Sequence, residues 1–428
     1  MMKKLASLSD NLNKCVQCGT CRSICPTFRV IGRESAAARG KLALIRAYID
    51  GDMALGEGYL KHIKECTMCG GCRDSCPAGV DTVKIINTAR AEHVEKEGRS
   101  FAASFMMRNL LDYKGLMPRA LRYVSKFRGL LFKDSPTENG LVSRFSLPVI
   151  GCGRLVPELA ETFFLDTREA KDLDTSPNTG EARVAFYSGC GVNFLMPEVG
   201  VKSVKALGRS APVVVPGDQV CCGMPAYYSG DVQTAKRLAI KNIEVFEKYD
   251  LDYIITSCAT CSHALKNVFK EIIAETGDAA LMERAEKFSA KVRDITEFLP
   301  VRGAKQPSGE AVAAGNLEGK KPVVTYHDPC HLNRNQGIRD APRDLIKSNK
   351  GLEFKEMRFP CSCCGLGGGL TMNNYDLSVK ITERKADSIR DSGADIVATA
   401  CPGCIVQLRD GLHKYGVKAK VVHVVDLL

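Results

Sequence analysis

At 428 residues, with 45% apolar and 25% charged side chains, the chain has the make-up of a soluble globular protein and room for two or three cores. Twenty cysteines would suit a disulfide scaffold only in a small secreted chain, and the opening MMKKLASLSDN lacks the apolar stretch of a signal peptide. No run reaches membrane-spanning length, so the expected setting is a reducing cytoplasm with the thiols committed to metal. The net charge of +11 is concentrated, since residues 1–130 carry 22 Lys/Arg against 12 Asp/Glu. No nucleic-acid-reading motif or basic–aromatic stripe goes with that excess, which argues against a nucleic-acid partner. It is read as an offset to negatively charged metal clusters, with an acidic partner or the anionic inner face of a membrane as the other uses.

The first elements in chain order are two copies of one cysteine pattern: Cys15, Cys18, Cys21 and Cys25 before Pro26, then Cys66, Cys69, Cys72 and Cys76 before Pro77. This C-x2-C-x2-C-x3-C-P spacing is that of bacterial two-cluster ferredoxins, in which the fourth cysteine serves the other cluster. Three thiolates two residues apart wrap one face of an Fe4S4 cube, and the fourth reaches away. The expected sets are therefore crossed. Cys15, Cys18, Cys21 and Cys76 should hold one [4Fe-4S] cluster, and Cys66, Cys69, Cys72 and Cys25 the other. A zinc ribbon is the competing use of C-x2-C pairs, and two closed four-cysteine runs fit it poorly.

Between the runs, Leu42, Ile45, Tyr48 and Ile49 recur at helical spacing, so a helix, a break at Gly51 or Gly56 and a second short helix are expected. Val80 to Glu97 reads as another helix, which would hold the two cubes between helices instead of on a compact ferredoxin sheet. Residues 99–132 are basic and apolar, with Leu121, Val124, Phe127 and Leu131 in one stripe. Such a stripe packs against the protein or a partner, or rests on a membrane surface.

The second half repeats itself. VAFYSGC (184–190) matches VVTYHDPC (323–330), IITSCATC (254–261) matches VATACPGC (397–404), and AKVRDITEFL (290–299) matches AKVVHVVDLL (419–428). A Gly- and Pro-rich linker separates the copies. Short β-branched runs at Val184–Tyr187, Val213–Val215 and Tyr253–Thr256 precede cysteines, and helical stretches follow, as in a parallel βαβ unit. The cysteines then fall past the carboxyl ends of strands, where open α/β sheets place ligands.

Each copy presents five cysteines: Cys190, Cys221, Cys222, Cys258 and Cys261 in the first, and Cys330, Cys363, Cys364, Cys401 and Cys404 in the second. Adjacent cysteines crowd one tetrahedral ion but can grip neighbouring irons of a larger cluster. Gly223 and Gly365 after the pairs suit a backbone that must approach metal closely. Buried free thiols are the bland alternative, adequate for Cys152 or Cys361 but not for five cysteines in register twice. Zinc is the competing occupant of the first copy. His327 and His331 flank Cys330, where they could orient thiolates, bind zinc or serve as satisfied loop histidines. Gly365-LGGG follows a cysteine pair and no clean strand, a poor match to a dinucleotide loop.

Two ferredoxin runs followed by two CCG repeats resemble the iron–sulfur subunit of glycolate and D-lactate dehydrogenases. The layout is also similar to the related iron–sulfur component of anaerobic glycerol-3-phosphate dehydrogenase and to fused heterodisulfide reductases. ARGKLALIRA and YHDPCHLNRNQGIRDAPRDLI carry the likeness to the glycolate/lactate group. The resemblance implies that CCG cysteines bind one or two further [4Fe-4S] clusters, of noncubane form in heterodisulfide reductase. Cys361, two residues before its pair, leaves the ligand set of the second copy open.

The expected fold is an α+β multidomain chain. A helical two-cluster ferredoxin domain spans 1–98 and a helical or irregular connecting segment spans 99–182. CCG repeats at 183–299 and 322–428 flank a linker at 300–321. No flavin or nicotinamide site and no nucleophile–base set is visible, so the chemistry belongs to the clusters or a partner. The resemblance implies an electron-transfer subunit fed by a separate FAD-containing 2-hydroxy acid dehydrogenase and emptied by a quinone or other acceptor. The alternative is a catalytic subunit that reduces a disulfide at a CCG cluster.

Overall fold

The computed structural model describes residues 4–54, 56–98, 111–113, 132–134, 140–144, 154–173, 183–301 and 320–428. The expectations for the Leu121 stripe, for Cys152 and for most of the linker lie outside these residues.

The N-terminal part is built from helices, with no strand among its described residues. Ala38–Asp50 packs Leu42, Ile45 and Tyr48 inward and stops at Gly51, whose φ of 90° is the left-handed conformation that closes a helix. Glu57–Lys64 follows. Thr82–Glu97 starts where the Asp81 carboxylate accepts the Lys84 amide at 3.1 Å, and it buries Ile85, Ile86 and Ala89. Each fully buried isoleucine contributes about 1.5–3 kcal/mol. Pro26 opens the helix Pro26–Ile31, where its missing N–H costs nothing, and so turns the chain directly after Cys25.

The connecting segment was expected to be helical or irregular. Its described residues include a small antiparallel sheet of β1 (Phe132–Asp134), β2 (Leu141–Ser143) and β3 (Leu155–Val156). Strands of two or three residues carry too little periodicity to be read from sequence.

Both repeats are α/β units on four-stranded parallel sheets. The first contains β4 (Val184–Tyr187), β5 (Val213–Val214), β6 (Tyr253–Thr256) and β7 (Val292–Asp294) in the order β5-β4-β6-β7. The second contains β8 (Val323–Tyr326), β9 (Glu353–Phe354), β10 (Ile396–Thr399) and β11 (Lys420–His423), ordered β9-β8-β10-β11. The strand order is the same in both, and the central ladders differ in register by one residue. Val184, the first residue of β4, pairs with Tyr253, whereas Val324, the second residue of β8, pairs with Ile396. The central strands are buried on both faces, so they read as unbroken apolar runs. Even the matched ends repeat: Asp294 accepts the Thr296 amide at 3.0 Å and His423 accepts the Val425 amide at 3.2 Å. The helix Ile295–Val301 runs two residues past the expected end of the first repeat.

Arg90 locks the three parts together. Its guanidinium is buried and donates to the carbonyls of Ile63, Lys64 and Cys66, to Tyr228 of the first repeat and to Gly368 of the second.

Candidate metal centres

The two ferredoxin runs fold into matching loops around two cavities of about 390 Å³ each. One is lined by Cys15, Cys18, Cys21 and Cys76, together with Cys72, which lines both. The other is lined by Cys25, Cys66, Cys69 and Cys72. The fourth cysteine of each run therefore stands with the triplet of the other. Main-chain amides turn toward the sulfurs, with Met68 N–H donating to Cys66 Sγ and Val80 N–H to Cys76 Sγ, both at 3.4 Å.

Threonine hydroxyls add to these contacts. Thr20 meets Cys18 at 3.3 Å, Thr27 meets Cys25 at 3.1 Å and Thr82 meets Cys72 at 2.9 Å. Hydrogen bonds to cluster sulfurs are one of the levers on reduction potential. Burial raises the Cys25 and Cys72 thiols, and the neighbouring Cys66 and Cys69 raise them further. Four thiolates cannot share such a cavity without a cation at its centre, which is what a bound metal supplies. Four convergent sulfurs around each void fit a [4Fe-4S] cube.

The CCG cysteines form a continuous file of neighbouring sulfurs. In the first repeat Cys190 meets Cys221, Cys221 meets Cys222, and Cys222 meets Cys261, which meets Cys258. Cys258 then meets Cys401 of the second repeat. From there the file runs through Cys404 to Cys364, with 3.7 Å between those two sulfurs, and on to Cys363 and Cys330. Cys363 also packs beside Cys69, so the second repeat abuts the second ferredoxin cavity. Each C-x2-C pair opens a helix with its first cysteine as N-cap: Cys258 caps Ala259–His263 and Cys401 caps Pro402–Lys414.

Several residues have roles that the sequence did not suggest. The glycine after each pair also answers to a neighbouring helix. Gly365 has a φ of 104°, and a Cβ there would stand 2.4 Å from the Ser378 carbonyl. Gly223 has a φ of 78° and lies against Ala235. The Gly365-LGGG run is a packing surface, since a Cβ on Gly367 or Gly368 would collide with the carbonyls of Thr67 or Cys66. Arg334 donates to Cys69 Sγ at 3.4 Å and to the Cys361 carbonyl at 2.9 Å. Cys361 itself lines a separate cavity of about 590 Å³ with Cys363 and four cations, Arg29, Arg334, Lys380 and Arg384.

The two histidines around Cys330 part company. His331 is satisfied, meeting the Tyr228 hydroxyl at 3.2 Å and the Thr260 hydroxyl at 3.0 Å where the repeats join. His327 is buried with neither ring nitrogen bonded, and it lies beside Cys364 and Cys404.

Comparison with known proteins agrees with this layout. The family described as 4Fe-4S dicluster domain matches residues 11–80, and the family described as Cysteine-rich domain (CCG) matches 184–266 and again 324–409. A Methanothermobacter marburgensis protein, named as a subunit of fumarate reductase (CoM/CoB), is 30% identical over 98% of this chain and 72% of its own length. An iron–sulfur protein of Methanocaldococcus jannaschii is 30% identical over 100% of this chain and 74% of its own. The chain belongs to this dicluster–CCG iron–sulfur family. A third member, the Bacillus subtilis protein named "Probable glycolate oxidase iron-sulfur subunit", is 29% identical over 97% of the chain and 93% of its own. The dicluster domain implies two [4Fe-4S] clusters in this iron–sulfur protein. Among the described residues no helix is long and apolar enough to cross a membrane.

Proposed function

We propose that this iron–sulfur protein is the electron-transfer subunit of a flavin-dependent dehydrogenase of glycolate or lactate. In this reading it takes electrons from a separate FAD subunit and passes them to a quinone or other acceptor. Cys15, Cys18, Cys21 and Cys76 hold one [4Fe-4S] cluster, and Cys66, Cys69, Cys72 and Cys25 hold the other. The five cysteines of each CCG repeat carry further metal, with zinc the competing occupant of the first. The observation that carries the reading is the unbroken file of sulfurs, joined at Cys69–Cys363 and at Cys258–Cys401. Such a file suits relayed single electrons, and the Bacillus subtilis relative named for glycolate oxidase adds to the support.

A second reading rests on the cationic cavity. Arg29, Arg334, Lys380 and Arg384 surround an opening onto Cys361 and Cys363, and no carboxylate among the described residues lines it. That setting suits an anionic disulfide, which would take two electrons and two protons and leave as two thiols.

One experiment separates the readings. The iron-loaded protein is mixed rapidly with an FAD-containing glycolate or lactate dehydrogenase subunit, and the cluster absorbance is followed. Bleaching that requires both the hydroxy acid and the flavoprotein supports the first reading. Oxidation of the acid by the isolated chain would overturn it, as would disulfide reduction that outpaces acid-dependent bleaching.

A further inference from the structure

The two CCG repeats share a sheet order and a cysteine pattern, yet they differ at the residue that follows the first strand. In the first repeat this is Ser188, whose amide and hydroxyl both donate to Gln219 Oε1, at 2.8 and 3.0 Å. In the second it is His327, 1% exposed and anchored by its backbone amide to the Ala398 carbonyl at 2.9 Å. Neither of its ring nitrogens has a hydrogen-bond partner. A buried polar atom left so costs about 1–3 kcal/mol, a cost the fold need not carry if the ring has another use. A ring nitrogen of His327, Cys364 Sγ and Cys404 Sγ all lie within 4.8 Å of one another.

We infer that His327 is a metal ligand and that the second CCG centre is bound by mixed nitrogen and sulfur donors, unlike the all-sulfur first centre. The inference rests on the reading that the second repeat holds a metal. Exchanging a thiolate for a neutral imidazole removes one negative charge from a centre. Where histidines replace cysteines in iron–sulfur proteins, the reduction potential rises. With His327 in place of one of its five thiolates, the second centre is expected to have the higher potential of the two, and it is also the one that abuts Cys69.

The test uses the full-length holoprotein grown with 15N-histidine and poised so that the second CCG centre is paramagnetic. Loss of the signal in Cys364→Ser identifies which signal belongs to that centre. Pulsed EPR should show a nitrogen coupling that changes with the label and vanishes in His327→Ser, while metal content stays at the wild-type level. Should metal analysis find zinc there, the zinc X-ray absorption edge is read instead. One nitrogen at about 2.0–2.1 Å among sulfurs at about 2.3 Å is then expected. An all-sulfur shell around a retained metal overturns the histidine assignment alone. A second repeat with no metal overturns the assignment together with the reading beneath it.

Discussion

Gln17 and Met68 hold left-handed φ values of 54° and 53°, one in each of the two ferredoxin loops. Such a backbone costs a non-glycine residue about 1–3 kcal/mol and persists where the surroundings fix it. Here it coils each Cys-x2-Cys turn so that its amides face inward. A short helix, Thr20–Ile24 in one loop and Gly71–Asp74 in the other, then leads to the fourth cysteine, which lines the cavity of the opposite triplet. Cys76→Ser should therefore damage the cluster of Cys15, Cys18 and Cys21 and spare that of Cys66, Cys69 and Cys72. EPR or Mössbauer spectra that resolve the two cubes read this directly, and damage confined to the second triplet's cluster would refute the crossing. The cysteine spacing made these sets legible in the sequence because covalent reach and loop length settle which thiols can meet. Arg334 was not legible. Its hydrogen bond to Cys69 spans 265 positions, and no local pattern marks an arginine for that role.

The same divide runs through the secondary structure. β4, β6, β8 and β10 are short buried β-branched runs, and Asp81 and Gly51 bracket helices with ordinary caps, so local chemistry announces them. β7 was visible only as half of a matched pair of chain ends, because a strand of Val292, Arg293 and Asp294 exists through its ladder to β6 and not through its composition. The CCG glycine shows how a motif can have a packing cause that its local sequence does not display. Its left-handed φ admits few other residues, and helix Tyr375–Ser392 leaves no room for a Cβ. Gly365→Ala should destabilise the second repeat by about 2–4 kcal/mol, through backbone strain together with displacement of the helix. Gly56→Ala, with an ordinary φ and open space around it, is the control. Unfolding midpoints of the two variants decide the matter, and equal midpoints would sink the packing account.

At the scale of the whole molecule, the dicluster part and both repeats share one joint, and Arg90 sits at its centre. No carboxylate bonds it among the described residues. Five main-chain carbonyls from three parts of the chain take its donors. Only a planar fork with five N–H groups satisfies so many directions at once, so a lysine is no substitute. The charge has a second partner in prospect. Arg90 bonds the carbonyl of Cys66, a residue lining the second ferredoxin cavity, and a cluster there would carry net negative charge that offsets a buried cation. Metal loading and domain docking are therefore expected to be coupled. Arg90→Met should cost about 3 kcal/mol or more, since it strands buried carbonyls that water does not reach. The loss should be local: amide hydrogen exchange should quicken around residues 63–68, 226–230 and 366–370 while the strands of both sheets keep their protection. Anaerobic removal of iron from the wild-type protein should loosen the same three segments, because it leaves the guanidinium without its counter-charge. Exchange that rises evenly over the chain in Arg90→Met, or iron removal that leaves these segments protected, would show that the joint holds without Arg90 and without the cluster.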